Sequence, residues 1–217
     1  MMPFSCLESC LPGLGKMLDS STPSDGTIYF GYGSNLWLYQ MKMRCPTSEY
    51  LGVARIAGYR WMINERGYAN IVETTSPPER EDRTRVPVTN VVYALVYRLQ
   101  AKDERRLDCN EGVPIAYKKE YLDAEFWPAK KDGKPVDVTQ RCEKRKVLVY
   151  INRRQTQDRA PKKEYVYRMN MGIKDAVKAG VPPAYVEKVM RKYIPEKDDG
   201  DLKEMAEKQA LVFEDEA

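Results

Sequence analysis

Histidine is absent from this chain of 217 residues. The absence removes the commonest general base, the serine–histidine and cysteine–histidine nucleophile pairs, and the imidazole ligands of many metal sites. Any catalysis by this chain must therefore rest on carboxylates, tyrosines, lysines, cysteines or backbone groups.

Cysteine is scarce, and its spacing forms no recognisable pattern. The five cysteines are an odd number, and no two are spaced as Cys-X-X-Cys; they are Cys6, Cys10, Cys45, Cys109 and Cys142. This spacing argues against a disulfide framework and against a zinc site, and it favours a reducing compartment. We therefore predict a cytoplasmic protein that binds no metal.

Long apolar runs are absent as well. No stretch approaches the roughly 20 residues that a membrane-spanning helix needs. Residues 1–26 have no basic beginning, contain Glu8 and are interrupted by Pro12 and Gly13, so they make a poor signal peptide. The sequence predicts no membrane partner.

The charge balance is nearly even, with 36 Lys and Arg against 32 Asp and Glu and a net charge of +4. This excess falls short of the basic footprint of a nucleic-acid-binding protein. Basic residues are denser in 141–163, but no aromatic platform for stacking bases is interleaved there. We interpret this stretch as the solvated flanks of a strand and a loop, and we predict no nucleic-acid partner.

The order of apolar patterns predicts an α+β protein. Patterns typical of strands fill the first two thirds of the chain, and helical patterns gather at its end. A cluster of Ser, Thr, Pro, Asp and Gly before residue 27 indicates a boundary. We therefore predict a flexible tail over 1–26, one domain over 27–195, and a C-terminal amphipathic helix with an acidic tail over 196–217.

The individual elements follow from the same patterns. We expect Gly52 and Gly58 to permit bends in a β-rich stretch, and Gly112 and Gly180 to end helices. A polar loop is expected over 76–85. The predicted strands are Thr27–Phe30, strands within 50–63 and 68–72, Val86–Leu99, Lys118–Trp127 and Lys144–Ile151. The predicted helices run from Leu36 to Met43, from Ala101 to Gly112, from Pro161 to Gly180, over 182–194 and over 201–213.

The stretch Phe30–Leu36, "FGYGSNL", places two glycines, a serine and an asparagine where a strand becomes a helix. Such an elbow points backbone N–H groups into one concavity and can bind a carboxylate or a phosphate. Leu36 stands where a dinucleotide motif needs its third glycine, and no Gly-Lys-Ser/Thr of a P-loop is present. Ser34 and Asn35 are also good helix N-caps, so an ordinary capped turn is the alternative.

A second stretch, Leu107–Val113 or "LDCNEGV", places Glu111 at a helix end between apolar neighbours. A carboxylate in partly apolar surroundings has a raised pKa and can act as a base near neutral pH. An exposed glutamate is the alternative. Cys109 lies two residues before Glu111, and in the absence of histidine we interpret it as a packed thiol.

Together the two stretches resemble the γ-glutamylcyclotransferase family, also called γ-glutamylcyclotransferase-like or AIG2-like. Weaker similarity is carried by "VARIAGYRW", "GYANI", "VVYALVYRL" and "EYVYRMNMGIKDAVKAGVPPAYVEKV", so that the resemblance covers roughly residues 27–213. It implies a compact mixed β-barrel surrounded by helices. It also implies cleavage of a γ-glutamyl amide to 5-oxoproline and a free amine, with Glu111 as catalytic acid and base. The substrate-binding residues that it implies are Tyr32, Gly33, Ser34, Asn35, Leu36, Tyr117, Tyr150 and Tyr165.

This chemistry suits a chain without histidine, because ring closure is intramolecular and one carboxylate can both take and return the proton. It needs no nucleophile, metal or cofactor. The predicted partner is a small γ-glutamyl compound; the oligomeric state stays open, with a homodimer as one arrangement. The alternatives are a larger γ-glutamyl conjugate or a γ-glutamylamine, with Trp37, Tyr39, Trp61 and Arg66 lining a wider mouth, and a non-enzymatic binding protein on the same scaffold.

Overall fold

The computed structural model describes residues 26–74, 86–196 and 207. Within these residues the chain forms seven strands and four α-helices. The strands are β1 Thr27–Gly31, β2 Glu49–Ala57, β3 Tyr59–Ile63, β4 Ala69–Glu73, β5 Val91–Leu99, β6 Lys118–Pro128 and β7 Glu143–Ile151. The helices are α1 Leu38–Arg44, α2 Ala101–Asn110, α3 Lys163–Ala179 and α4 Pro183–Lys188, with 3₁₀ turns at Ser34–Leu36, Val88–Asn90 and Met190–Lys192.

Five strands close into a barrel in the order β1-β5-β2-β6-β7. All neighbours run antiparallel except β1 and β7, which are parallel and close the barrel where Tyr29 faces Leu148. Strands β3 and β4 form a separate hairpin. The predicted α+β class and mixed β-barrel are confirmed.

The central strand β5 is buried along nearly its whole length, because both its faces carry Val, Leu, Tyr and Ala. The barrel core includes Phe30, Val53, Leu95 and Val147, each fully buried. Alternating apolar residues therefore pack into the barrel and against the surrounding helices, as the patterns predict.

Glycines at two helix ends, beside a β-bulge and between β2 and β3 act as predicted. Gly180 follows α3 with φ +118°, and Gly112 follows α2 with φ +61°, conformations that side chains with a Cβ rarely adopt. Gly58 turns β2 into β3 with φ +83°, and β2 shifts register beside Gly52. Local chain chemistry ends these elements without help from the rest of the fold.

Three predicted boundaries are wrong. The helix predicted over 182–194 ends at Lys188 in α4 and is followed by the separate 3₁₀ turn Met190–Lys192. Strand β5 begins at Val91 rather than Val86, because Pro87 has no N–H for a ladder and leads into a 3₁₀ turn instead. No single helix runs from Leu36 to Met43, since a 3₁₀ turn and α1 are separated by Trp37 in an extended conformation. The expected loop over 76–85 and most of the expected terminal segments lie outside the described residues.

Helix α3 packs one face onto the 3₁₀ turn that follows β1. The buried positions of this face recur at helical spacing: Tyr165, Arg168, Met169, Gly172, Ile173 and Ala176. Gly172 is the point of closest approach, because a Cβ there would lie 2.9 Å from Leu36 Cβ and 3.0 Å from the Trp37 nitrogen. This contact sets how close α3 lies to the elbow.

We expect Gly172→Ala to destabilise the protein by about 1–3 kcal/mol, since the added methyl group must push α3 away from the turn. The gain in helix propensity, about 1 kcal/mol, offsets only part of this cost. The measurement is thermal unfolding, with Lys178→Ala on the exposed face of α3 as control. A Gly172→Ala protein at least as stable as the wild type would contradict this packing.

Candidate active site

A cavity that is partly open to solvent lies between β1, the β3–β4 hairpin, the end of α2, and α3. The elbow, α1 and β7 complete its wall. Its lining residues are Tyr29, Tyr32, Gly33, Ser34, Asn35, Arg44, Tyr68, Ala69, Glu111, Tyr117, Tyr150, Tyr165 and Arg168. The fold thus gathers residues that are up to 139 positions apart in the chain, from Tyr29 to Arg168, around one space.

Three hydrogen bonds tie the elbow to the barrel and to the β3–β4 hairpin. Trp61 Nε1 donates to the Tyr32 carbonyl over 3.0 Å, and Tyr97 Oη donates to the Asn35 carbonyl over 2.9 Å. Tyr32 Oη in turn donates to the carbonyl of Tyr150 on β7 over 2.6 Å. These bonds to buried partners position the elbow before any ligand arrives.

Asn35 uses both ends of its side-chain amide. Its Oδ1 accepts hydrogen bonds from Gln40 Nε2 at 2.7 Å and from Arg44 Nη1 at 3.3 Å. Its Nδ2 donates to Tyr29 Oη at 2.8 Å and to Glu111 Oε1 at 3.2 Å. An aspartate could not make the last two bonds, because it has no N–H to donate.

Glu111 is held by the way α2 ends. Gly112 N–H donates to the Cys109 carbonyl over 3.1 Å, and Val113 N–H donates to the Asp108 carbonyl over 3.0 Å. This pair of bonds is the Schellman motif, and it makes Glu111 the last residue with helical dihedral angles. Leu107 is buried and Val113 packs against the core, so the helix end is anchored with Glu111 facing the elbow.

Burial raises the pKa of Glu111 above its ordinary value of 4.5. The charge of Arg44, the hydrogen bond from Asn35, and the charges of Arg168 and Arg66 lower the pKa, but they only partly offset the burial. The carboxylate is therefore a stronger base than an exposed glutamate while it remains within hydrogen-bonding contact of the elbow.

Tyr165 joins the elbow to the hairpin. Its hydroxyl oxygen accepts the N–H of Ser34 at 3.2 Å and the N–H of Ala69 at 3.3 Å. Tyr117 Oη donates to the Ala69 carbonyl over 3.0 Å, and Tyr150 Oη donates to Asp108 Oδ1 over 2.7 Å. The three tyrosines implied by the resemblance thus line the cavity and also connect its walls.

The tyrosines of the cavity hold their protons. Burial raises the pKa of Tyr165 to about 12, and burial is the main cause that raises the pKa values of Tyr32, Tyr117 and Tyr150 far above 10. Among the described lining residues, Glu111 is therefore the group best suited to exchange a proton near neutral pH.

The sequence analysis did not identify two arginines that line the cavity. Arg44 and Arg168 are 3% and 2% exposed, which is unusual for guanidinium groups. Arg168 is bound by Glu164, with Nε and Nη2 each 3.0 Å from Oε2, and its Nη1 donates to Ser34 Oγ over 3.3 Å. Burial, together with the charge of Arg168, lowers the pKa of Arg44 to about 10. The cavity is positively charged beside Ser34 and Asn35.

The elbow differs in detail from a simple nest of N–H groups. Ser34 N–H already contacts Tyr165, and the N–H groups of Leu36 and Trp37 bond to the carbonyls of Gly33 and Ser34. Neither Ser34 nor Asn35 caps a helix, because Gly33 and Trp37 occupy those positions. The polar side chains instead contact Gln40 and the two arginines. The side chains of Ser34 and Asn35 therefore form hydrogen bonds within the site and do not cap a helix, which was the alternative interpretation.

Leu36 is the exception among the residues implied by the resemblance. It is 1% exposed, packs against α3 and does not line the cavity, whereas the other eight residues do. Its place in the motif is explained by packing, because the turn must carry an apolar residue on the side that faces the core.

Several other sequence interpretations are corrected by the tertiary structure. Cys109 is exposed rather than packed, because Leu107 takes the core-facing position of this turn of α2. Trp37 packs against Tyr167, and Trp61 lies beneath the elbow, so neither lines a wide mouth. Arg66 does lie beside the cavity, with its guanidinium carbon 5.8 Å and 6.0 Å from the ring centroids of Tyr68 and Tyr117.

Within the described residues, no group of three or more His, Cys, Asp or Glu side chains is arranged to hold a metal ion. The same residues include no helix with the length and apolar character needed to cross a membrane.

Solved structures with this architecture are known. An uncharacterized protein from Homo sapiens is 20% identical with a TM-score of 0.58, and the match covers 85% of this chain and 99% of that one. A structure described as gamma-glutamyl cyclotransferase is 20% identical with a TM-score of 0.57, covering 84% and 98%. The chain has the same fold as these two structures. YkqA from Bacillus subtilis has this fold as well, at 18% identity and a TM-score of 0.56, where the match covers 80% of this chain and 57% of that one.

By sequence, no protein-family model matches the chain, and no curated protein matches it significantly. The likeness to these solved structures is therefore seen by comparing structures. At such low identity the likeness concerns the fold alone.

We expect Tyr165→Phe to destabilise the protein by about 1–3 kcal/mol, since the buried N–H groups of Ser34 and Ala69 both lose their acceptor. Tyr121→Phe, at an exposed position of β6, is the matched control. Denaturant unfolding measures both. Equal stability of the two variants would mean that the hydroxyl does not hold the elbow to the hairpin.

We expect Glu111→Gln to stabilise the protein increasingly as pH rises. Because burial raises the pKa of Glu111 in the folded state, the folded protein retains a proton that the unfolded chain has already lost, and wild-type stability falls with pH through that window. Each unit of raised pKa corresponds to about 1.4 kcal/mol.

Thermal unfolding between pH 4 and pH 8 measures this effect. The advantage of Glu111→Gln should be smallest below the ordinary pKa of 4.5 and should level off above the folded-state pKa. Glu187→Gln, at an exposed position of α4, controls for the loss of one charge. An advantage that shrinks with rising pH would contradict a raised pKa.

Proposed function

We propose that the protein is a γ-glutamylcyclotransferase, which releases 5-oxoproline and a free amine or amino acid from a γ-glutamyl substrate. The observation that carries the proposal is the contact of 3.2 Å between Asn35 Nδ2 and Glu111 Oε1 inside the cavity. It places a partly buried base directly beside a polar and cationic elbow. The similar structure described as gamma-glutamyl cyclotransferase supports the same assignment.

The cationic side of the cavity suits the substrate's α-carboxylate. Arg44 and Arg168 lie beside Ser34 and Asn35, and a guanidinium group binds a carboxylate more strongly in a buried site than in water. With the α-carboxylate on that side, the α-ammonium group of the same carbon would face Glu111. Binding the two charged groups separately holds the substrate in a folded conformation.

Glu111 would then carry the proton. Its carboxylate takes one proton from the α-ammonium group, and the amine nitrogen that results attacks the γ-carbonyl carbon of the same molecule. When the bond from this carbon to the leaving nitrogen breaks, the protonated Glu111 gives its proton to that nitrogen. The new ring nitrogen loses its second proton to water as the lactam forms, and the departing amine takes up one proton from water. The products are 5-oxoproline and an amine, and the enzyme ends in its starting state without a metal or cofactor.

The raised pKa of Glu111 suits both proton transfers, the removal of a proton from the substrate and its return to the leaving nitrogen. It makes the carboxylate a stronger base than an ordinary glutamate, and it keeps the carboxylic acid available long enough to protonate the leaving group. Tyr32, Tyr117 and Tyr165 hold their protons near neutral pH because their pKa values are raised, so they do not compete with Glu111 for the proton of the substrate.

The proposal is tested by measuring 5-oxoproline release from a panel that contains γ-glutamyl dipeptides, a γ-glutamylamine and bulky glutathione-derived conjugates. We expect turnover of at least one class by the wild type. Glu111→Gln should keep the fold and bind the same ligand while losing at least about 10³-fold in kcat, because one carboxylate serves both proton transfers.

Asp123→Asn, on the exposed part of β6, controls for the removal of a carboxylate elsewhere. Full activity of a pure Glu111→Gln preparation would exclude the mechanism. Tight binding of a γ-glutamyl compound by the wild type with no 5-oxoproline from any substrate would instead favour the binding-protein alternative. The cytoplasmic location and the absence of nucleic-acid and membrane partners stay predictions.

A further inference from the structure

Tyr150, which lines the cavity, donates the hydrogen of its hydroxyl group to a carboxylate. Its Oη lies 2.7 Å from Asp108 Oδ1. A tyrosine hydroxyl group has one hydrogen and a carboxylate can only accept, so this hydrogen points at Asp108 and not into the cavity. The lone pairs of Tyr150 Oη are therefore all that its hydroxyl group can offer to a ligand, and the group acts there as an acceptor.

A lysine on the neighbouring strand holds Asp108 in this arrangement. Lys119 Nζ lies 3.1 Å from Asp108 Oδ2 and is also bound by Glu104 Oε1. Lys119 of β6 is the register partner of Tyr150 on β7, so the cation and the hydroxyl group reach the carboxylate from adjacent strands. Because Lys119 occupies Oδ2, Oδ1 stays directed at Tyr150.

The tyrosine itself is fixed relative to the elbow. Its carbonyl accepts the hydrogen bond from Tyr32 Oη at 2.6 Å, and only 2% of the residue is exposed. Its ring packs edge-to-face on Tyr29 with 5.6 Å between the ring centroids, and Tyr29 Oη accepts from Asn35 Nδ2 at 2.8 Å. The position of the Tyr150 hydroxyl group is thus set by the same residues that position the elbow.

The hydroxyl group of Tyr150 also lies near Glu111. Asp108 and Glu111 are three positions apart at the end of α2, and residues at this spacing share one face of a helix with a rise of roughly 4.5 Å between them. Burial is the largest cause that raises the pKa of Tyr150, the hydrogen bond to Asp108 is the next, and the charge of Glu111 also contributes. A group bound by Glu111 would therefore be close to Tyr150 Oη.

Within the described residues, no N–H or O–H group donates to Tyr150 Oη. The α-ammonium group of a γ-glutamyl substrate has three N–H donors, of which Glu111 needs one. A second donor would match the oxygen of Tyr150, which is a better acceptor than an isolated hydroxyl group because its own hydrogen is bound by a carboxylate.

We propose that Tyr150 accepts a hydrogen bond from the α-ammonium group of the substrate, and that Asp108 is a positioning residue that acts through Tyr150. The inference rests on the proposed function and deepens it. After Glu111 has taken one proton, the amine still has two N–H groups. A bond from one of them to Tyr150 limits the rotation of the amine and directs its lone pair towards the γ-carbonyl carbon.

The first experiment compares γ-glutamyl-alanine with glutaryl-alanine, which lacks only the α-amino group. Binding of both compounds is measured in the Glu111→Gln background, where turnover does not interfere. The γ-glutamyl compound should bind about 10-fold more tightly, as expected for one hydrogen bond to a charged group. Adding Tyr150→Phe should bring this ratio close to one, and the affinity for glutaryl-alanine should change less than about 2-fold, because that compound has no donor for Tyr150.

A double-mutant cycle separates the positioning role of Asp108 from a structural one. Asp108→Asn removes the charge that binds Lys119 and allows the amide to donate to Tyr150, so it should lower the ratio when Tyr150 is present. In the Tyr150→Phe background it should have no further effect on the ratio. A structural role at the end of α2 would instead weaken the binding of both compounds in either background.

Glu120→Gln is the matched control, since Glu120 is the next residue of β6 after Lys119, pairs with Arg153 over 2.7 Å and does not line the cavity. Its ratio should equal that of the unsubstituted background. Unfolding curves show whether each variant folds. If Asp108→Asn does not fold, Lys119→Gln tests the same role, because it releases Asp108 Oδ2 and should lower the ratio only when Tyr150 is present.

These ratios do not depend on turnover. The expected ratios without 5-oxoproline from any wild-type substrate would refute the reaction and retain the ammonium contact. Equal affinity for the two compounds, a ratio unchanged by Tyr150→Phe, or no binding of either compound would overturn the inference. An effect of Asp108→Asn, or of Lys119→Gln in its place, that is equally large in the Tyr150→Phe background would overturn the role given to Asp108.

Discussion

The hydrogen bond between Asn35 Nδ2 and Glu111 Oε1 is the contact on which the candidate site depends. It joins the elbow after β1 to the end of α2, two segments separated by 76 positions in the chain. Each side is rigid for its own reason: Asn35 is held by Tyr29, Gln40 and Arg44, and Glu111 by the Schellman motif. The carboxylate therefore reaches the elbow without a movement of either segment.

Burial and nearby positive charge change the pKa of Glu111 in opposite directions. Burial disfavours the ionised form, while Arg44, Arg168 and Arg66 favour it, and burial has the larger effect. A more apolar cavity would keep the carboxyl group protonated. A cavity with more positive charge or more water would lower its pKa and leave the carboxylate a weak base. The arginines and the surrounding tyrosines together keep the group between these limits, and the same arginines attract an anionic ligand.

The fold serves this site by closing a barrel and packing one helix across its end. β1 brings Tyr29 and the elbow, β7 brings Tyr150, and α3 approaches closely because Gly172 has no side chain. Tyr165 and Arg168 reach the cavity from α3, so the last long helix completes a site that begins with the first strand. The hairpin contacts the start of α3 through the hydrogen bond from the Lys162 N–H to the Gly67 carbonyl.

The sequence by itself determined the elements whose cause is local. Gly112 and Gly180 end helices because only glycine readily adopts the required backbone conformation, and the alternation in β5 predicted a buried strand. The family resemblance carried by the two motifs, and not the residues alone, singled out Asn35 and Glu111, which the structure places in contact. Residues whose role depends on distant partners could not be found in this way: Leu36 packs in the core instead of lining the cavity, and Cys109 is exposed. Arg44 and Arg168 read as ordinary charged residues along the chain. Only the tertiary structure decided that both are buried at the cavity, because burial and charge contacts depend on segments that meet after folding.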